Sequence, residues 1–103
     1  MVYLAGPISP SNGHTVEQNI TSAAAIYFQL VRAGKAAFCP QIGTDGRFDI
    51  DYETWMRFDF AVIDACDTVL MLPRWEMSSG ARREHEYALA RGKRVVYEVG
   101  ELL

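Results

Sequence analysis

The chain has 103 residues, 50% hydrophobic and 22% charged, with a net charge of −3. That composition describes one domain near the small end of what a single core supports; its mildly acidic balance excludes the basic face that a nucleic-acid polymer needs, and no apolar run is long enough to span a membrane. Two cysteines, Cys39 and Cys66, with no paired spacing and no metal-ligand pattern, read as reduced, buried thiols of a cytoplasmic protein without a metal site, and residues 1–5 lack the basic start of a signal peptide.

Val2-Tyr3-Leu4-Ala5 is a short apolar run ended by Gly6-Pro7, the pattern of a buried first strand. Pro10, Asn12 and Gly13 form a loop, and Thr15 with Gln18 is a capping-box pair that opens a helix predicted from Val16 to Ala33. Ile20, Ala23, Ala24, Tyr27 and Leu30/Val31 recur at helical spacing along it, and Gly34 stops it. A second strand is predicted over Ala36–Cys39, then a loop over 40–50. Helical spacing resumes from Tyr52 to Ala65. Thr68–Leu72 reads as a third strand closed by Pro73. Ser78 or Ser79 caps a helix running to about Arg91, and a fourth strand is predicted over Arg94–Val99. Strands alternating with helices imply a parallel sheet covered on both faces. The reading is an α/β, flavodoxin-like or Rossmann-like three-layer sandwich with a four- to five-stranded parallel sheet in the order 2-1-3-4. Its crevice then lies at the carboxyl ends of strands 1 and 3, lined by residues 6–10 and 73–80.

Two carboxylates break the apolar pattern, and burying an acid is costly unless it is paired or used. At about 100° per residue, Asp59 falls in the middle of the stripe made by Trp55, Val62, Ile63 and Cys66, while Arg57 and Asp64 point to water. It either caps a loop or pairs with an arginine, or it belongs to a site. In the last helix Ala81, His85, Ala88 and Leu89 make the predicted stripe; Glu84 flanks it, and Arg83 and Glu86 face away. Glu84 is either a first-turn acid placed for helix electrostatics or an ionised nucleophile favoured by the helix N-terminus. The turn Ser78-Ser79-Gly80 is a plain N-cap or a place for an anion. Trp75 either stacks on a base or packs its loop against a helix. His14 reads as a bystander, the Arg82-Arg83 and Lys93-Arg94 pairs as solvated ends, and Tyr27, Phe28 and Tyr87 as core or subunit-interface residues. A homodimer or larger homo-oligomer is expected of so small a sheet protein with exposed aromatics.

Three pieces occurring together carry a resemblance: Val2-Tyr3-Leu4-Ala5-Gly6-Pro7-Ile8-Ser9 at the start, Asp59 ahead of Asp67, and Ser78-Ser79-Gly80-Ala81-Arg82-Arg83-Glu84 followed by Ala88. Over nearly its whole length the chain resembles the nucleoside 2-deoxyribosyltransferase-like superfamily, which includes the nucleoside 5′-monophosphate N-glycosidases; it looks closest to short members carried by phages and bacteria. The resemblance implies Glu84 as the nucleophile at the anomeric carbon, Tyr3 as the hydroxyl that steadies it, and Asp59 as a proton donor to the leaving base, its pKa raised by burial. It implies Gly6, Pro7, Ile8 and Ser9 as a loop wrapping the substrate, and Ser78, Ser79 and Gly80 as the turn holding the 5′ end, with Trp75 near the base. No cofactor is implied. A serine at 78 suits a 5′-phosphate, whereas the transferases tend to carry an aspartate there. Pro7 and Ser9 stand where the N-glycosidases tend to have serine and arginine, which leaves Arg82 or Arg74 as the phosphate's cation. The expected activity is cleavage or exchange of the N-glycosidic bond of a (deoxy)nucleoside 5′-monophosphate or nucleoside. The alternatives are a nucleotide-binding module without turnover and a glycohydrolase of a dinucleotide such as NAD.

Overall fold

A computed structural model describes residues 1–10, 13–43 and 49–103. The loop residue Asn12 and residues 44–48 of the predicted 40–50 loop lie outside the described residues. Among the described residues the strands are β1 (Val2–Ala5), β2 (Ala37–Phe38), β3 (Thr68–Met71) and β4 (Arg94–Val96). The helices are α1 (Val16–Arg32), α2 (Pro40–Gly43), α3 (Tyr52–Asp64) and α4 (Ser79–Ala90). Short 3₁₀ turns follow β3 (Trp75–Met77) and β4 (Val99–Leu102). All strand pairs are parallel and the order is β2-β1-β3-β4, as expected of β-α-β alternation with right-handed crossovers.

The local signals act where the residues place them. The Thr15 hydroxyl accepts from the Gln18 amide at 3.1 Å, and the Gln18 side chain accepts from the Thr15 amide at 2.8 Å, closing the capping box of α1. Ser78 is the N-cap of α4, its Oγ accepting from the Ala81 amide at 3.1 Å. Three boundaries differ from expectation. Strand β2 has only two residues, and Pro40 opens a one-turn helix instead of a loop; proline suits a first helical position, where no intrahelical donor is lost. Strand β4 stops at Val96, because the Tyr97 and Glu98 amides are taken by the Glu101 carboxylate, both at 3.1 Å.

Alternation along β1 divides the core. Val2 and Leu4 face α1, packing with Ala23, Leu30, Leu70, Leu72 and Val96. Tyr3 and Ala5 face α3 and α4, packing with Ile63, Cys66, Val69, Met71, Ala81 and Ala88. The three layers are therefore α1, the sheet, and the α3–α4 pair. Both cysteines are free and buried. Among the described residues no helix is long and apolar enough to cross a membrane.

At the carboxyl end of β1 the chain leaves through Gly6, buried against β3. A Cβ there would stand 2.8 Å from the Leu72 Cβ and 2.9 Å from its Cδ1, closer than side-chain carbons approach. Gly6 is thus required by packing, whatever else the loop does. Gly6→Ala is expected to cost about 1–3 kcal/mol by overpacking, read as a lower urea midpoint at unchanged slope; a midpoint equal to wild type would show that Leu72 yields freely.

Candidate functional site

The α3–α4 layer brings Tyr3, Asp59 and Glu84 to one place. Tyr3 projects from β1 between the two helices, with Phe38 of β2 beside it, the rings stacked at 5.9 Å between centroids. Asp59 comes from the second half of α3, on a buried stripe with Met56 and Ile63. Glu84 comes from the second turn of α4, on a stripe with Ala81 and Ala88. Glu84 is therefore central in its stripe, not flanking, and Leu89, expected inside, is 53% exposed. The phase of α4 was read one residue too far round, because Leu89 is the more hydrophobic candidate while small Ala81 and Ala88 let α4 approach the sheet.

The Tyr3 hydroxyl donates to Glu84 Oε2 at 2.5 Å. Asp59 is buried beside them, close enough to influence the titration of both Tyr3 and Glu84. Tyr3 is fully buried, Glu84 is 5% exposed and Asp59 8%. Burial pushes the Glu84 carboxyl well above its usual range, and the adjacent Asp59 charge pushes it further, against the lowering effect of the Tyr3 hydroxyl. Burial also raises Asp59, and its hydrogen bonds to Glu84 and Tyr3 partly oppose that. Tyr3 is pushed well above the usual phenol range, first by burial and then by the two carboxylates. Two acids this close in a poorly hydrated place do not both ionise near neutrality, so the pair holds one proton and one charge. Burial raises both acids, including Glu84, the one expected to be ionised. The helix N-terminus favours the Glu84 carboxylate, but that contribution is small beside desolvation of a nearly inaccessible acid.

The other expected site residues are dispersed. The loop after β1 is pinned by polar side chains from two directions. Gln41 of α2 donates to the Gly6 carbonyl at 3.1 Å. Asn19 of α1, 2% exposed, donates to the carbonyls of Ile8 at 3.2 Å and Ser9 at 3.0 Å. Pro7 is turned toward α1, where it lines a cavity of about 20 Å³ with Asn19, Leu72, Pro73 and Arg74. Ser9 is exposed. Trp75 packs on His85 with ring centroids 4.4 Å apart, and the His85 Nε2 is 2.8 Å from the Tyr97 hydroxyl; of its two readings, the geometry gives a ring that fixes the turn against α4. Ser79 is exposed, and Gly80 sits at the head of the α3–α4 seam, where a Cβ would be 3.6 Å from both the Met56 sulfur and the Tyr52 hydroxyl, an ordinary contact.

The arginines around the turn are engaged. Arg82 donates to the Glu76 carbonyl at 2.6 Å. Arg83, expected to face away, holds Glu53 of α3 through two bonds of 2.8 and 3.2 Å and lies over the rings of Tyr52 and Phe60. Arg74 donates to Asn19 Oδ1 at 3.0 Å. Sequence reasoning missed Asn19 and Gln41. Asn19 was findable: with Ala23, Ile26 and Leu30 it forms the inward face of α1, a polar residue in an apolar stripe, the same signal that singled out Asp59. Among the described residues no group of His, Cys, Asp or Glu could hold a metal ion.

Against known proteins, one family model matches, over residues 1–97, and the chain belongs to that family, the domain of unknown function DUF4406. No curated protein matches the chain.

The raised acids have a consequence for stability. An acid whose folded pKa lies above its unfolded value near 4 contributes fully below that value, and the contribution is lost as pH rises through the folded pKa. Glu84→Gln keeps an acceptor for Tyr3, removes one of the two acids and lets Asp59 ionise alone. Its melting temperature relative to wild type is expected to rise progressively from about pH 4 toward the alkaline side. A difference that stays flat with pH would mean that the two carboxyls do not share a proton.

Proposed function

We propose that this member of the family breaks the N-glycosidic bond of a (deoxy)nucleoside 5′-monophosphate, with Glu84 as nucleophile and Asp59 as the acid. The observation that carries the reading is the buried Asp59–Glu84 pair, close enough for each to shift the other's titration, with Glu84 held to the sheet by the Tyr3 hydroxyl. Cleaving such a bond passes through an oxocarbenium-like state, which asks for one carboxylate at the anomeric carbon and one acid at the departing base. A pair that holds one proton supplies both.

A Glu84 carboxylate oxygen forms a bond to the anomeric carbon as the bond from that carbon to the base nitrogen breaks. The pair's proton, on Asp59 at that moment, goes to the base nitrogen. Water then attacks the anomeric carbon, Asp59 takes its proton, and Glu84 leaves as the carboxylate; a second base in place of water gives transfer instead. Tyr3 holds the attacking oxygen in place and hydrogen-bonds its charged form.

The Ser78–Gly80 turn supports a 5′-phosphate. The Ser78 Oγ accepts from the Ala81 amide, which leaves its hydroxyl proton for a phosphate oxygen. The Ser79 and Gly80 amides, in the first turn of α4, have no acceptor within the helix. Arg82, exposed at the same turn, is the nearest cation in sequence. Self-association and a cytoplasmic setting belong to this proposal: Phe28 and Val31 stand half-exposed three residues apart on α1, and both thiols are free.

The experiment is incubation with a panel of ribo- and deoxynucleoside 5′-monophosphates and the corresponding nucleosides, with released base measured by chromatography. Base is expected from at least one monophosphate in preference to its nucleoside. Asp59→Asn is expected to slow release about a hundredfold or more, Tyr3→Phe about tenfold or more, as for loss of a hydrogen bond to a charged group, and Glu84→Ala to reduce it to background. Equal release by wild type and Glu84→Ala would remove the nucleophile assignment. A nucleotide retained intact, with no base released, would turn the reading into a binding module.

A further inference from the structure

We propose that Asn19 and Arg74 are positioning residues that set the Gly6–Ser9 loop against the turn after β3, and so seat the substrate of the reaction proposed above, on which this inference rests. The relay joins the turn after β3, helix α1 and the loop after β1. Arg74, directly after β3 and Pro73, donates from Nη2 to Asn19 Oδ1 at 3.0 Å. Asn19, in the first turn of α1, spends both hydrogens of its amide on the Ile8 and Ser9 carbonyls, at 3.2 and 3.0 Å. The Arg74 bond also fixes the flip of that amide, since only Oδ1 can face a guanidinium.

Two features set this apart from routine loop packing. Arg74 has a backbone φ of +67°, the only positive φ at a non-glycine among the described residues, in a region that glycine adopts without strain. Its Nε is buried with no acceptor. A position that served only to turn the chain would be better filled by glycine. Strain and an unpaired donor persist at sites where a side chain is needed, and here the guanidinium's visible work is to orient Asn19. The carbonyls that Asn19 holds are those of the last two residues of the Gly6–Ser9 loop, so the relay fixes where that loop ends relative to the turn after β3.

Two variants cut the relay at different ends. Asn19→Asp keeps the shape and the acceptor for Arg74 but turns the donors to Ile8 and Ser9 into a repelling oxygen. Arg74→Gly removes the guanidinium and relieves the backbone, so its melting temperature is expected to equal or exceed wild type, which keeps the test valid should Asn19→Asp fold poorly. In the ligand-free protein, backbone order parameters at Ile8 and Ser9 are expected to fall in both variants from about 0.85 toward about 0.6 with Val69 and Leu70 unchanged, while Arg74→Lys, which keeps one donor, stays near wild type. With the best monophosphate, KM is expected to rise about tenfold in both while kcat stays within about threefold. Unchanged order parameters at Ile8 and Ser9 overturn the relay. Lower order at unchanged KM overturns its part in the reaction. Absence of base release by wild type defeats the proposed function instead, and the order parameters then decide the relay alone.

Discussion

The structure turns on two carboxyl groups, Asp59 and Glu84, buried close enough in the α3–α4 layer to shift each other's titration. Placing a lone ionised carboxylate in a protein interior costs several kcal/mol even after relaxation, a large share of the roughly 5–15 kcal/mol by which a domain is stable. One hydrogen bond to a charged group returns only about 1.5–3 kcal/mol. The Tyr3 hydroxyl alone therefore cannot offset two charges, and the pair lowers its cost by keeping a proton. The salt bridge that spans the same helices, Arg83 to Glu53, lies at the surface, where such pairs are worth at most about 1 kcal/mol. What presses α3 and α4 together over the acids is burial of Met56, Ile63, Ala81 and Ala88.

The sheet translates strand register into that arrangement. In β1 the odd residues Tyr3 and Ala5 face the acids and the even residues Val2 and Leu4 face α1. A one-residue slip would exchange the two faces and send Tyr3 into the α1 layer. The tight contact of Gly6 with Leu72 resists such a slip, because any side chain brought to that place meets β3. The same strand thus aims the tyrosine and, through the loop that leaves it, places Gly6–Ser9 at the crevice. One face of the sheet carries the acids; the other carries Asn19 and Arg74, which hold the loop from behind.

Most of the architecture was legible in the residues. Alternating strand and helix patterns, the Thr15 capping box and the Ser78 cap led to the observed order and to helix boundaries within a residue or two. Asp59 was legible because a charge in an apolar stripe has few explanations. Glu84 was legible as an acid but misplaced by phase, since alanine is a weak marker of a helix's inner face and Leu89 a misleadingly strong one. Asn19 was missed for a related reason: the stripe of α1 drawn through Ile20, Ala23, Ala24, Tyr27 and Leu30/Val31 caught Ala23 and Leu30 of the inward face but took Ile20 in place of its neighbour Asn19. Helical periodicity locates a face to within about one residue, or 100°, and only tertiary packing decides between neighbours. That burial raises both acids was only half legible, because the depth at which each sits depends on tertiary packing and not on its neighbours in sequence.

The shared burial also bears on the proposed chemistry. Desolvation pushes Glu84 toward its neutral form, the wrong form for a nucleophile, and desolvation is opposed by any positive charge brought to the carboxylate. In the proposed reaction, positive charge grows at the anomeric carbon as the bond to the base loosens, and that charge favours the anionic form of Glu84. Asp59, buried beside it and also raised, is then the acid that can deliver a proton to the base. On this account burial spares the fold a second buried charge until a substrate supplies the countercharge, so the feature that looks least suited to catalysis follows from the burial that makes the site.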